Sequence, residues 1–409
     1  MNLTIYRGSH EIGGSCVELS TNNTTILIDI GEPLHQESKE LELKEIKFDA
    51  VLISHPHMDH YGQLGLIPEQ IPVYSGELTK RLVDSLATFT TGKYLKNKFV
   101  HFKKDCPFNI GDFKITPFLV DHSAYDAYCF LIEAEGKKVV YSGDFRANGF
   151  KGFLFKDVTH ILTGKNIDAL IMEGTCIERL VGDFPGEMDV AKEIERIITK
   201  QKNMSFLVSS SSNFDRMISA SLACDNAGKI FAVDIYTAWI MEQMKTITKA
   251  KPLLDREHVR VLAHEKYGAP YYTKIKGNPY FADFIKKIYS NGNDIFMKDI
   301  KKEPAKHLLK LSERFIPSLV REYATSSRPV PIIYSMWKGY DSYQKLQKLD
   351  NTEIYYAHTS GHAPLNILKE FASIISPEKL IPIHTENPQE YARHFANVTQ
   401  VNDGQRIEI

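Results

Sequence analysis

Up to about residue 145, the apolar positions fall in short runs separated by glycine and other turn formers. The runs Leu3–Tyr6, Cys16–Leu19, Thr25–Ile28, Ala50–Ser54, Phe113–Leu119, Tyr128–Glu133 and Lys137–Tyr141 are rich in β-branched and aromatic residues and predict strands. Asn22-Asn23 and Glu135-Gly136 mark turns between them. A second style begins near Met188, with helix Met188–Lys200, strand Phe206–Ser209, helix Phe214–Cys224, strand Ile230–Val233 and helix Thr237–Ile247. Strands alternating with helical stretches predict a parallel sheet covered by helices. The stretch from Pro252 to Arg328 is lysine-rich and shows no clear period. Strands Val330–Tyr334, Ile354–Ala357 and Leu380–Ile383, with helices Pro364–Ile375 and Pro388–Phe395, complete the pattern. A change of style without a linker suggests an insertion into one fold.

Composition narrows the class. The 409 residues carry 50 Lys+Arg against 51 Asp+Glu, with 43% hydrophobic and 25% charged positions. This is ordinary globular usage, and it excludes a disordered tail, a collagen-like rod and a disulfide-rich mini-protein. Balanced charge argues against coating nucleic acid by bulk charge, so any polyanion needs a local patch. The five cysteines are scattered and form no C-x-x-C pair. Neither a secretory leader nor an apolar run of about 18 residues is visible, so a cytoplasmic protein with no membrane span is expected.

The strongest chemical signal is Ser54-His55-Pro56-His57-Met58-Asp59-His60-Tyr61-Gly62, directly after the apolar run Asp49–Ile53. Four candidate ligands within six residues occupy a strand end, where loops carry function. Imidazole and carboxylate are the ligands zinc takes when it keeps a position open for chemistry. Four on one loop exceed the needs of one such ion, so a pair of metals is the better account than a solvated polar loop. Val120-Asp121-His122, Ser142-Gly143-Asp144 and Ile383-His384 each place a His or Asp past another apolar run.

In this order, H-x-H-x-D-H, a lone His and S-G-D resemble the metallo-β-lactamase superfamily of two-metal hydrolases, with Asp29 at its early acidic position. Met172-Glu173-Gly174-Thr175, His358-Thr359-Ser360-Gly361-His362-Ala363 and Pro382-Ile383-His384 make the chain similar to the β-CASP nucleases, ribonuclease J-like enzymes in particular. The resemblance implies an α/β fold: a metallo-β-lactamase αββα sandwich formed by residues 1–175 and 353–409, with a β-CASP α/β domain inserted over residues 176–352. It implies one metal on His55, His57 and His122, a second on Asp59, His60 and His384, and Asp144 bridging both. Two zinc ions are expected, manganese or magnesium being the alternatives. Asp59 also counts with the catalytic residues.

A water shared by two zinc ions has its pKa brought from about 16 toward about 7, which supplies the attacking group for a phosphodiester. The leaving ribose oxygen needs a proton, and a histidine off the metals suits that task. His362 is the candidate, with Glu173 orienting it; a turn contact and a strand-end salt bridge are their structural alternatives. Ser210, Ser211, Ser212 and Asn213 precede a helix that carries Arg216 in its first turn, a pattern suited to phosphate. Ribonuclease J-like enzymes have a similar block, so substrate contacts are placed there and at Ser360 and Gly361. A plain serine cap is the rival reading. The lysine runs Lys93–Lys104 and Lys298–Lys310 read more readily as solvated faces than as an RNA channel. For Trp337-Lys338-Gly339-Tyr340, core or rim packing is expected ahead of base stacking.

The expected function is therefore a zinc-dependent ribonuclease acting on single-stranded RNA, 5′→3′ exonucleolytic with endonuclease activity as the variant, and with DNA as an open second substrate. The alternatives are a lactam or thioester hydrolase of the same superfamily and a non-catalytic RNA-binding protein. The insertion, together with Glu173 and His362 that flank it, speaks against the first, and seven intact ligand candidates against the second. Two features depart from ribonuclease J-like chains. Only 25 residues follow His384, where those chains continue into a dimer-forming domain, which leaves a homodimer an open expectation. Cys176 also replaces an expected small polar residue.

Overall fold

A computed structural model describes residues 1–34, 41–91, 94–178, 184–245, 251–262 and 279–409. Lys93 and the end of the expected helix Thr237–Ile247 lie outside these residues. The chain divides into two compact units. One comprises Met1–Val83, Leu95–Phe184 and Gly361–Ile409; the other comprises Asp84–Tyr94 and Pro185–Ser360.

The first unit is built on two sheets. The order in the seven-stranded sheet is Arg406–Glu408, Asn2–Arg7, Cys16–Ser20, Thr25–Ile28, Ala50–Leu52, Val73–Ser75, Phe99–His101. The six-stranded sheet runs Lys379–Ile383, Ala169–Glu173, Lys137–Tyr141, Ala127–Ala134, Phe113–Val120, Phe108–Ile110. Alternating apolar positions on facing strands form one core, with Leu3, Ile5, Val17, Ile26 and Leu52 from the first sheet and Phe113, Ile115, Phe130, Ile132 and Ile171 from the second. Each such buried side chain contributes roughly 1.5–3 kcal/mol. The second sheet's other face, with Phe118, Leu131, Val140 and Leu170, buries Phe155, Val158 and Leu162 of helix Leu154–Leu162 and Leu368 and Phe371 of helix Leu365–Ile375. The α/β class expected of the sequence is the one found.

Pairing direction positions the chemistry. Strand Thr25–Ile28 lies parallel to Ala50–Leu52, with Ile28 opposite Leu52, so the residues that follow both strands emerge at one edge. Strands Lys137–Tyr141, Ala169–Glu173 and Lys379–Ile383 are likewise mutually parallel, with Tyr141 opposite Ile171 and Glu173 opposite Ile383. In open sheets of this kind, the carboxyl ends of parallel strands are where ligands bind.

The second unit holds a wholly parallel seven-stranded sheet, as the alternating pattern predicts. Its order is Asp294–Ile295, Val259–Leu262, Ile230–Val233, His307–Lys310, Ser205–Val208, Val330–Tyr334, Thr352–Tyr356. Met204, Phe206, Leu309, Leu319, Ile332 and Tyr334 lie in its core. Helices Glu77–Thr91 and Leu154–Leu162 were not anticipated, and the lysine-rich stretch holds strands Val259–Leu262 and His307–Lys310 with helices Pro279–Ser290 and Ile316–Tyr323. Helix Leu154–Leu162 was legible, since Leu154, Phe155, Val158 and Leu162 are its buried positions at helical spacing.

Candidate metal centre

Three imidazoles converge at the edge of the first unit. His55 Nε2 and His122 Nε2 lie 3.2 and 3.1 Å from His57 Nδ1. The ligand atoms of these three residues all fall within 4.8 Å of one another, and the same holds for Asp59, His60 and His384 and for His55, His60 and Asp144. Asp144 Oδ2 is 3.1 Å from His60 Nε2 and 3.7 Å from both His55 Nε2 and His384 Nε2. Thus all seven residues expected to hold metal come together.

The backbone makes this geometry possible at specific points. Gly143 precedes Asp144 with φ +54°, and a Cβ there would lie 2.6 Å from Tyr128 O. Asp29 and His384 adopt φ 58° and 53° in the left-handed region that non-glycine residues seldom occupy. Such conformations persist only where surrounding contacts hold them.

A second layer of side chains orients the first. Asp29 Oδ2 accepts from His60 Nδ1 at 2.8 Å, Ser54 Oγ at 2.7 Å and Tyr141 OH at 2.8 Å, while Oδ1 accepts from Ser54 N at 2.8 Å. His122 Nδ1 donates to Gly361 O at 2.5 Å, and Thr175 Oγ1 meets His384 Nδ1 at 2.8 Å. In each case the other ring nitrogen is left to face the centre, the arrangement typical of metal-bound histidine. Ser54, Tyr141 and Thr175 had not been singled out as orienting groups, because nothing in their local spacing marks them.

These donors fit a metal. His60 Nε2 is buried and has no hydrogen-bond partner of acceptable geometry, although Asp144 is 3.1 Å away. An orphaned, buried ring nitrogen is costly unless a cation meets its lone pair. Burial, reinforced by neighbouring imidazoles, pushes His55 and His122 well below the usual histidine range and His57 down to about 4. Their nitrogens are thus unprotonated at neutral pH, as ligands must be. Burial opposes charge on His60 as well, but Asp144 and Asp29 outweigh it and hold His60 well above its ordinary value. Burial likewise opposes ionisation of Asp144, and His384, His60 and His362 outweigh it, keeping the carboxyl ionised. Among the residues present, His55, His57, His122, Asp59, His60, His384 and Asp144 could hold ions.

His362 stands beside the cluster. Its Nδ1 is 3.3 and 3.2 Å from Glu173 Oε1 and Oε2, and 3.7 Å from Asp144 Oδ2. Burial disfavours its charged form, yet Glu173 and Asp144 raise its pKa above the usual value. Glu173 is buried and also accepts from Phe145 N and Thr175 N, each at 3.2 Å. Its carboxylate therefore ties the loop after Asp144 to the ring of His362. Ser360 and Cys176 are buried.

The serine block lies in the second unit, and its members differ in what they face. Asn213 caps helix Phe214–Asn226 by accepting from Arg216 N at 3.1 Å. Ser211 is buried against Thr237 Oγ1 at 2.8 Å and Lys310 Nζ at 3.2 Å, whereas Ser210 is exposed and its hydroxyl meets that of Ser212 at 2.7 Å. Arg216 is fully buried: it pairs with Glu187 at 3.1 and 3.2 Å and donates to Ser335 O at 2.9 Å. Its guanidinium holds the unit together rather than facing solvent, a departure from the expected phosphate contact. In the lysine runs, Lys96 pairs with Glu69, Lys301 with Glu322, Lys302 with Asp299 and Lys306 with Glu303, as solvated side chains do; Lys310 is buried. No described helix is long and apolar enough to cross a membrane.

Comparison with known proteins agrees with this geometry. Residues 24–199 match the family described as the beta-lactamase superfamily domain, and residues 351–408 match the Zn-dependent metallo-hydrolase RNA specificity domain. The chain is 24% identical to ribonuclease J of Mycoplasma pneumoniae, over 97% of this chain and 69% of that one. It is 23% identical to ribonuclease J of Mycoplasma genitalium, covering 93% and 67%, and 28% identical to a probable RNase of Methanocaldococcus jannaschii over 42% and 45%. The chain thus spans about two thirds of the two Mycoplasma enzymes, and its alignment to ribonuclease J of Helicobacter pylori spans 34% of that relative. A crystal structure of a protein of unknown function from Enterococcus faecalis V583 shares the fold, with a TM-score of 0.76, 18% identity and 99% of each chain covered. By these matches the chain resembles the metal-dependent hydrolases of the metallo-β-lactamase superfamily, and the ribonuclease J enzymes in particular.

Proposed function

We propose that this chain hydrolyses phosphodiester bonds of single-stranded RNA at a two-metal centre, releasing nucleotides from the 5′ end. The observation that carries this reading is a seven-ligand cluster with the His362–Glu173 pair set beside it. His55, His57 and His122 would hold one ion, Asp59, His60 and His384 the other, and Asp144 both. When bound, zinc ions supply Lewis-acid activation of water and charge stabilisation at phosphorus.

The remaining work falls to the chain itself. With Nδ1 on Glu173, His362 offers the proton on Nε2 to the departing ribose oxygen. Glu173 fixes the ring and favours its protonated form, the form a general acid needs. Asp29, Thr175 and the Gly361 carbonyl keep three ligand rings from rotating. In the second unit, Ser210, Ser212 and the first turn of helix Phe214–Asn226 offer hydroxyls and backbone N–H groups to a phosphate. Residues 176–352 would constitute the inserted β-CASP domain.

Incubation of the zinc-loaded protein with 5′-labelled single-stranded RNA tests the reading. Strands with 5′ monophosphate, triphosphate and hydroxyl ends, and single-stranded DNA, make up the series. Mononucleotide release favoured by the monophosphate is expected. Internal fragments would replace the exonuclease reading with an endonuclease one, and intact RNA throughout would end the ribonuclease proposal.

A further inference from the structure

The motif Trp337-Lys338-Gly339-Tyr340 does not pack into a core. Trp337 is 49% exposed, Tyr340 44%, and Tyr356 on the neighbouring strand 39%. Exposed aromatic surface on this scale is costly to leave in water and marks a contact face when the rings are held in place.

They are held. Tyr334 ends strand Val330–Tyr334; its hydroxyl donates to Trp337 O at 3.2 Å and meets Ser342 Oγ at 3.0 Å, and Tyr340 N donates to Trp337 O at 3.3 Å. The indole lies on the backbone of Gly339: a Cβ there would sit 2.1 to 2.3 Å from three ring carbons. Any other residue at 339 would displace the ring. Tyr340 meets the indole edge-on, with centroids 5.5 Å apart and planes at 87°. Lys338 Nζ sits 4.0 Å from the centre of the Tyr356 ring.

Position and charge indicate the occupant. Tyr356 ends the edge strand Thr352–Tyr356, opposite Tyr334, and Tyr334 lies opposite Val208 on the strand that leads into the serine block. The aromatic residues and the serine loop therefore leave the carboxyl ends of three adjacent parallel strands, spaced about 4.8 Å per strand. From Trp337 to Tyr356, three lysines (Lys338, Lys345 and Lys348) are balanced by Asp341, Asp350 and Glu353, so the cation that would meet a backbone phosphate is Lys338, held against the Tyr356 ring. We infer that Trp337, Tyr340 and Tyr356 form a stacking platform for bases of single-stranded RNA, with Lys338 on the backbone between them. This rests on the ribonuclease reading and deepens it, adding a base-recognition surface in the second unit, away from the ligand cluster in sequence. Stacking accepts any base, so the platform confers preference for single strands rather than for sequence.

The chain has two tryptophans, so Trp239→Phe leaves Trp337 as the only reporter. Its fluorescence is titrated in chelator with a short single-stranded RNA and with an abasic strand of equal charge. The expected result is quenching by RNA, none by the abasic strand, and affinity about 5- to 150-fold weaker in Trp337→Ala, with most of it kept in Trp337→Phe. Equal quenching by both strands overturns the platform. So does unchanged affinity in Trp337→Ala for an RNA that the wild-type protein cleaves, and in that event the ribonuclease reading stands. A wild-type protein that neither binds nor cleaves RNA defeats both. Sedimentation showing a dimer that Trp337→Ala abolishes, without any effect on RNA, would make this face an interface between copies and refute base stacking.

Discussion

His60 reaches Asp29 across 2.8 Å, although 31 residues separate them, and the bond fixes which nitrogen of His60 faces the ligand cluster. Asp29 itself offers the cluster nothing directly, because its oxygens are taken by His60, Ser54 and Tyr141.

Replacing Asp29 should therefore loosen a ligand without removing one. Asp29→Asn is expected to lower the affinity of the site containing His60 about 10- to 100-fold. Competition against a zinc chelator, with ion content read by mass spectrometry, measures this. An unaltered affinity would mean that His60 is oriented by Asp144 alone.

His362→Ala should separate binding from chemistry. The variant is expected to retain both ions and lose about 10²- to 10⁴-fold in turnover, the range for a missing general acid. Loss of an ion would instead assign His362 to the ligand set, a role its 3.7 Å approach to Asp144 permits geometrically.

The two halves of the centre should respond differently to acid. A histidine with a depressed pKa takes up its proton only well below neutrality, so His57, at about 4, and its partners His55 and His122 keep open lone pairs at pH 6. His60 has the opposite sign: its pKa is raised, so in the ion-free protein a proton occupies it at neutral pH and must leave when metal arrives. Lowering the pH from about 7.5 to about 6 should weaken one ion by roughly tenfold per unit and leave the other nearly unchanged. Calorimetry in buffers of different ionisation enthalpy, which counts the released protons, checks this.

Arg216 should matter for stability ahead of substrate affinity. Arg216→Ala strands Glu187 in the core and is expected to cost about 3–5 kcal/mol, measured by denaturant unfolding. A soluble, equally stable variant with weakened RNA binding would return Arg216 to the phosphate site.

Many of the strands in both units were legible because they are short, nearly continuous buried runs of β-branched and aromatic residues that end in polar loops. The runs Thr25–Ile28, Lys137–Tyr141, Ile230–Val233 and Val330–Tyr334 were placed to the residue. Helix Glu77–Thr91 was missed although Leu78, Leu82, Val83, Leu86 and Phe89 recur at helical spacing, a period as readable as that of Leu154–Leu162. The stretch after Pro252 resisted parsing because lysines dominate its exposed faces, while buried runs such as His307–Lys310 are only four residues long.

What the sequence determined by itself was the chemistry on offer: which imidazoles and carboxylates follow which apolar runs. Those assignments are local, resting on period, turn formers and residue type within a few positions. Only the tertiary structure decided the partnerships. It set Gly361 O on His122, Thr175 on His384, Asp29 on His60 and Glu187 on Arg216, and it turned Trp337 outward over Gly339. Those pairings come from strands and helices brought together across tens to hundreds of residues. No spacing rule encodes them, because burial, and the need to satisfy each buried polar group, is settled only when the sheets pair and the core closes.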